Sequence, residues 1–280
     1  MKLLSIMTQN GPRWGVLEQD RVRLAPQNSG SLQTHLGDLA LISKILSTEP
    51  LGPKLSECKL LAPIQAPPQF IGVGLNYRDH AIEAGASIPI SPITFGFLQT
   101  AIIGPGDAIV IPPFGFKVDW EAELGIVIGK SGTDISVEDA MDHVAGYVII
   151  NDVSERQVQF DEGQWGRSKS FNSFKPMGPW IVTQEELGDA SNLQIQLWVN
   201  GVLKQSSTTS ELIFGVREIV SRLSSSVTLL SGSVISTGTP FGIGHSRVPP
   251  EYLKSGDEVT IAIEGLGTLV NPVSSLSLNN

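Results

Sequence analysis

The chain has 280 residues, with 28 acidic against 19 basic side chains, a formal net charge of −9 and an isoelectric point near 4.9. With no dense run of Lys or Arg, that balance argues against nucleic acid as a partner. A lone cysteine, Cys58, rules out an intrachain disulfide and fits a reducing compartment. There is no signal or transit pattern and no apolar run of about 18 residues, so the expectation is a soluble, cytoplasmic protein that does not enter a membrane. Its 29 glycines and 18 prolines point to a β-rich α+β fold of many short strands rather than a helical bundle.

Residues 1–62 read as a small N-terminal β/α unit. Lys2 to Met7 and Arg13 to Leu17 are strand candidates flanking Asn10-Gly11, a strong hairpin signal, and Val22 to Leu24 adds a third. Apolar residues at helical spacing predict a helix from Ser31 to Leu46, and Gly52-Pro53 closes the segment. The proline-rich stretch 62–68 is an extended connection to a main domain over 63–280.

Phe70 to Gly74 is a short strand leading into residues 76–83. If a helix starts there, His80 and Glu83 share a face three residues apart and can hydrogen-bond. A carboxylate on one imidazole nitrogen makes the other a better base, although a surface pair has the same spacing. Residues 84–100, with Gly85, Pro89, Pro92 and Gly96, read as an irregular lid.

Val118 to Val127 predicts one strand, which places Glu121 and Glu123 on the same face, about 7 Å apart along the backbone. Burying two like charges side by side costs several kcal/mol unless a cation intervenes, and a divalent ion is the usual remedy. A solvated strand face is the competing explanation. Asp152, at the end of the strand Val144 to Ile150, supplies a third carboxylate, and the three make a hard oxygen cage suited to Mg²⁺, Mn²⁺ or Ca²⁺.

Ser136 and Asp139 suggest a capped short helix between these strands. Arg156 and Gln159 follow Asp152 at intervals of four and three, close enough for one helical turn to bring all three to one pocket. Arg156 can hold a carboxylate by a bidentate pair, or simply pair with Glu155 or Asp161. Residues 165–180 are too rich in Gly, Pro and Ser for a long helix. Lys169 lies there in an aromatic setting, where it can stabilise a developing anion or merely snorkel.

The remainder predicts a hairpin about Asn200-Gly201, a helix from Ser210 to Leu223, and strands at Val227 to Leu230 and Val234 to Thr237. The glycine-rich stretch 238–244 permits close backbone approach to a ligand but lacks the phosphate-loop ending. A last hairpin, Asp257 to Glu264 and Gly267 to Val270, precedes a polar tail.

Six stretches, taken together, resemble the fumarylacetoacetate hydrolase family. They are Gly-Leu-Asn-Tyr-Arg-Asp-His-Ala-Ile-Glu-Ala-Gly (74–85), Asp-Trp-Glu-Ala-Glu-Leu (119–124), Asn-Asp-Val-Ser-Glu-Arg-Gln-Val-Gln (151–159), Arg-Ser-Lys-Ser-Phe (167–171), Ser-Thr-Gly-Thr-Pro (236–240) and Ile-Glu-Gly-Leu-Gly-Thr-Leu-Val-Asn (263–271). The resemblance implies a mixed β-sandwich roll or barrel and a homodimer. It makes Glu121, Glu123 and Asp152 the metal ligands and His80 with Glu83 a water-activating dyad. It has Arg156, Gln159, Lys169 and Thr239 contact a small 2-oxo or diketo acid, with Lys169 supporting the enolate.

On that pattern the expected activity is metal-dependent hydrolysis of a carbon–carbon bond in a 1,3-diketone acid such as an acylpyruvate. A β-oxo acid decarboxylase, an isomerase or dehydratase, and a catalytically silent metal-binding scaffold are the alternatives. The chain departs from the family at Phe97, where many members carry lysine, at Asn172, where they carry Asp, and at Lys175, where they carry a small residue. These departures predict altered substrate recognition with the metal chemistry kept.

Overall fold

A computed structural model describes residues 1–115 and 117–276. Strands Ala122–Ile128 and Val144–Asn151 are buried at every position, as expected for apolar runs covered on both faces, and they pair antiparallel with Glu123 opposite Ile150. They lie at the centre of a twelve-stranded sheet. On one side come Val234–Ser236, Phe70–Gly74 and Ile93–Gly96; on the other, Lys175–Thr183 and then the N-terminal strands Lys2–Thr8, Gly11–Glu18, Arg21–Leu24 and Leu51–Lys54.

A second sheet of five strands runs Val202–Thr208, Gln194–Val199, Glu258–Ile263, Gly267–Ser275 and Ile109–Ile111. Leu124, Ile126 and Ile149 pack with Leu197 and Ile261 in the core that joins the two. Burying each such side chain contributes about 1.5–3 kcal/mol. The fold is thus α+β and β-rich, with mixed sheets: Val234–Ser236 and Phe70–Gly74 pair parallel while most other pairs are antiparallel. Among the described residues the long sheet is open at both ends and does not close into a barrel.

The first 62 residues extend the large sheet. Lys2 and Leu3 pair with Val182 and Ile181. Leu3 and Trp14 share a core cluster with Phe70, Val127 and Val148.

Several elements differ from the sequence-based expectation for local reasons. The predicted helix 31–46 is a 3-10 turn, Leu32–Thr34, with a separate helix, Leu39–Ser47, after it. Asp38 starts the latter afresh, its side chain accepting from the Leu41 amide at 2.8 Å. Ser136 and Asp139 close a turn by reciprocal hydrogen bonds, and the chain then enters the 3-10 helix Ala140–His143. The helix placed at 210–223 is Val216–Ser224, and the expected strand at 227–230 reduces to a bridge between Leu229 and Gly132. The second half of the supposed lid is regular, because Ile93–Gly96 pairs with Phe70–Gly74. The final strand runs on to Ser275, and residues 277–280 of the expected polar tail lie outside the described residues.

The predicted strand 118–127 is broken at Trp120 and Glu121. Val118–Asp119 pairs with Ser154–Glu155, while Ala122 opens the separate pairing with Asn151. Glu121 sits in the break, its amide bonded to Asn151 Oδ1 at 3.1 Å.

Candidate active site

The break directs Glu121 toward Glu123 and Asp152, which lies just beyond the neighbouring strand. The three acids are buried, and each offers a carboxylate oxygen within 4.8 Å of the others. They line a cavity of about 460 Å³ together with His80, Glu83, Arg156, Gln159, Lys169 and Thr239, so all nine residues singled out from the sequence meet in one place. Phe95, Phe160, Trp165 and Ile243 form its apolar walls.

His80 and Glu83 lie on the helix Arg78–Glu83, and His80 Nδ1 meets Glu83 Oε2 at 2.9 Å. The other ring nitrogen is left for the cavity. Glu83 Oε1 accepts from the Gly242 amide at 2.8 Å, fastening this helix to the glycine-rich loop.

Arg156 and Gln159 occupy the first turn of the helix Arg156–Glu162, whose N-cap Glu155 accepts from the Val158 amide. Asp152 lies outside this helix, separated from it by the strand Ser154–Glu155; the expected single helical turn therefore holds only two of the three residues. The partners of Arg156 are also not the neighbours Glu155 and Asp161. Its Nε bonds Asp119 Oδ2 at 2.9 Å, its Nη2 bonds Glu121 Oε1 at 2.5 Å, and its Nη1 bonds Gln159 Oε1 at 2.9 Å. Burial opposes the charge on Arg156, but Glu121 and Asp119 outweigh it and raise its pKa above the ordinary arginine value.

Lys169 is buried, with Nζ 2.8 Å from Glu121 Oε2, 2.6 Å from Asp152 Oδ2 and 5.5 Å from the Phe95 ring centre. Burial works to discharge it, but Asp152 and Glu121 outweigh burial and raise its pKa above the ordinary lysine value. Burial likewise opposes the charge on Glu121, yet Lys169 and Arg156 prevail and bring its pKa down to about 2.

Glu123 has no cation of its own. It accepts from Ser236 Oγ at 2.5 Å and from the Gly238 amide at 3.0 Å, while burial, followed by the charges of Asp152 and Glu121, pushes its pKa up to about 8.

Four residues important to this arrangement have no role assigned on the sequence alone, or stand out there only as departures from the family pattern. Asp119, fully buried, accepts from the amides of Gly244 and His245 as well as from Arg156. Gln205, also fully buried, accepts from the Ala122 amide at 2.9 Å and donates to Thr239 Oγ1 at 2.9 Å and to the Pro240 carbonyl at 2.8 Å. Thr239 thus reaches the cavity already oriented by a neighbour. Gln205 is the one buried residue of the strand Val202–Thr208, and no alternation along that strand marks it as inward-facing.

His245 also lines the cavity, its ring centre 4.9 Å from that of Phe160 and its Nδ1 2.9 Å from the Tyr252 hydroxyl. Lys175 lies behind the cavity wall, fully buried, 2.7 Å from Asp152 Oδ1 and 4.7 Å from the Phe97 ring centre. It also donates to the carbonyls of Val153 and Phe174, which leaves its third proton for Asp152 Oδ1, an oxygen with no other protein partner among the described residues. Burial pushes Lys175 down to about 8, against the pull of Asp152.

These residues fit a divalent cation. The donors are all carboxylate oxygens, they converge, and Glu123 has no cation of its own. Four buried carboxylates, Asp119, Glu121, Glu123 and Asp152, face three buried cations, Arg156, Lys169 and Lys175.

Residues 69–274 match the model of the fumarylacetoacetate hydrolase C-terminal domain. The chain belongs to the fumarylacetoacetate hydrolase family. It is 44% identical over 238 residues to a mitochondrial oxaloacetate tautomerase of Bos taurus, covering 84% of this chain and 76% of that one. Among solved structures it is similar to the 5-carboxymethyl-2-hydroxymuconate delta-isomerase of Mycobacterium smegmatis, with TM-score 0.81, 34% identity and coverage of 99% and 100% of the two chains. It is also similar to the fumarylacetoacetate hydrolase of Exiguobacterium antarcticum, with TM-score 0.88, 36% identity and the same coverage. The family is one of enzymes. No helix among the described residues is long and apolar enough to cross a membrane.

Proposed function

We propose that the chain is a divalent-metal-dependent enzyme that enolises a small 2-oxo carboxylic acid, acting as a tautomerase or isomerase. The observation that carries this reading is the placement of one imidazole–carboxylate pair and three converging carboxylates around a single cavity. The tautomerase and isomerase names borne by similar proteins agree with it.

Held by Glu121, Glu123 and Asp152, Mg²⁺ or Mn²⁺ would supply a Lewis acid for the 2-oxo and carboxylate oxygens. His80 takes a proton from the carbon next to the 2-oxo group and returns it at the oxygen or at another carbon, according to the isomer formed. Glu83 keeps Nδ1 of His80 protonated and so leaves the opposite nitrogen to act as the base. Lys169 places positive charge beside the oxygen that becomes enolate. Gln159 and Thr239 offer hydrogen bonds to the acid's oxygens. Phe95 and Trp165 help exclude water from the carbanion-like carbon.

Hydrolysis of an acylpyruvate is the second reading, supported by the same dyad and by the likeness to a fumarylacetoacetate hydrolase. In that case His80 activates a water for attack on the distal carbonyl. Enol absorbance of oxaloacetate, followed with Mg²⁺, Mn²⁺ or chelator beside assays of acylpyruvate cleavage and oxaloacetate decarboxylation, separates the readings. Metal-dependent acceleration of keto–enol exchange without product formation is the expected result. Cleavage or decarboxylation without such exchange would overturn the tautomerase assignment.

A further inference from the structure

We propose that Lys175 sets the divalent-cation affinity of the Glu121–Glu123–Asp152 cage, holding it down through an ammonium group buried 2.7 Å from Asp152 Oδ1. The inference rests on the metal-dependent function proposed for this cage. Lys175 is absent from the cavity lining, so it acts through Asp152 and is a positioning residue without a direct role in the chemistry.

Three observations fix its charge in place. Its side chain is fully buried at the start of the strand Lys175–Thr183, which is paired there with Ile102. Nζ donates to the Val153 carbonyl at 3.0 Å and to the Phe174 carbonyl at 2.9 Å, on the two chain segments that flank Asp152 and Lys175. The Phe97 ring closes a further side, its centre 4.7 Å from Nζ. The ammonium cannot swing out to water as a surface lysine would.

Asp152 therefore meets positive charge on both oxygens, Lys175 at 2.7 Å on Oδ1 and Lys169 at 2.6 Å on Oδ2. Lys169 lines the cavity and has Glu121 and Ser154 as other partners to which it can shift. Lys175 has no second acid among its hydrogen-bond partners. A cation entering the cage must share Asp152 with this charge, and in a buried site such repulsion is weakly screened. In return, the acid cluster is close to neutral before any ion arrives, which lets Asp152 stay buried and aimed.

The test is Mn²⁺ binding to the purified full chain, measured by electron paramagnetic resonance of free Mn²⁺ and by the Mn²⁺-dependent rise in Tm. Lys175→Met should bind Mn²⁺ at least tenfold more tightly than the wild type. Lys175→Gln, which keeps polar contact with the two carbonyls, should tighten binding likewise and serves if the methionine variant does not fold. Phe97→Lys added to Lys175→Met puts an ammonium back beside Asp152 and should return affinity toward the wild-type value. Unchanged or weaker binding in both neutral variants, with the wild type binding, overturns the role of Lys175 alone. Tight binding retained in the double variant attributes the effect to packing and also overturns it. Absence of Mn²⁺ binding in the wild type and all variants overturns the metal reading itself.

Discussion

Glu83 and Gly242 are joined by a 2.8 Å hydrogen bond in which the backbone amide of the glycine-rich loop donates to the carboxylate oxygen not used by His80. The acid that hydrogen-bonds the imidazole is therefore also the clasp of its helix, and its two oxygens have separate partners. Glu83→Gln keeps an acceptor for Gly242 but removes the negative charge behind His80. The expected outcome in steady-state kinetics is a fall in kcat of about 10²-fold with little change in KM, in line with the loss of general-base catalysis. An increase in KM with kcat preserved would assign Glu83 to substrate binding instead.

Asp119 anchors Arg156 and two amides of the loop at 244–245 without touching the cavity. Removing one partner of a buried ion pair leaves an uncompensated charge, so Asp119→Asn should lower unfolding stability by about 3–5 kcal/mol in urea titrations. A loss below about 1 kcal/mol would show that Glu121 alone satisfies Arg156.

Gln205→Leu strips the Ala122 amide and Thr239 hydroxyl of their buried partner at once. Each unsatisfied group costs about 1–3 kcal/mol, and the midpoint of chemical unfolding should drop accordingly. Because Ala122 lies between two of the acids, the same variant should also weaken Mn²⁺ binding.

His245 is shifted below the ordinary histidine value of 6.5, first by burial and then by the Arg156 charge. Depressing a histidine pKa on folding means that the folded form prefers the neutral ring. Its contribution to stability is therefore intact above about pH 6.5 and is lost as pH falls from the unfolded pKa toward the lower folded one. Lys117 opposes protonation as well, whereas Asp119 favours it. An NMR titration should place the His245 midpoint below 6.5, and His245→Gln should flatten the acid limb of the stability profile. A midpoint above 6.5 would contradict the packing against Phe160 and Arg156.

A ligand that binds only the folded chain stabilises it by mass action, by about 2.7 kcal/mol at a concentration one hundred times Kd. Added Mg²⁺ or Mn²⁺ should raise Tm and chelator should reverse the rise, whereas Glu123→Gln should abolish the response. A Tm indifferent to either ion would remove the basis for metal-dependent catalysis.

The cage is legible in the sequence because two glutamates and an aspartate interrupt apolar runs, where charge demands a reason. Its spatial closure is not legible in the same way: a continuous strand would align Glu121 with Glu123, whereas a break at Trp120 and Glu121 does so. The competing demand of Asp119 and Ala122 for different partner strands makes that break, and nothing local in the sequence announces it. The cations are legible as residues but not as partners. Sequence proximity offers Glu155 and Asp161 to Arg156, while the acids it meets lie 35 and 37 positions away. Helix ends are the least legible, as at Asp38, where a side-chain cap decides the boundary and hydrophobic spacing does not.

One ribbon, Lys175–Thr183, has Lys175 against Asp152 at its first residue and receives Lys2 and Leu3 near its last. The leading 62 residues are thus a splint along the rear of the reaction chamber. Trimming them would bare that ribbon's edge at Ile181 and Val182, the end remote from Lys175.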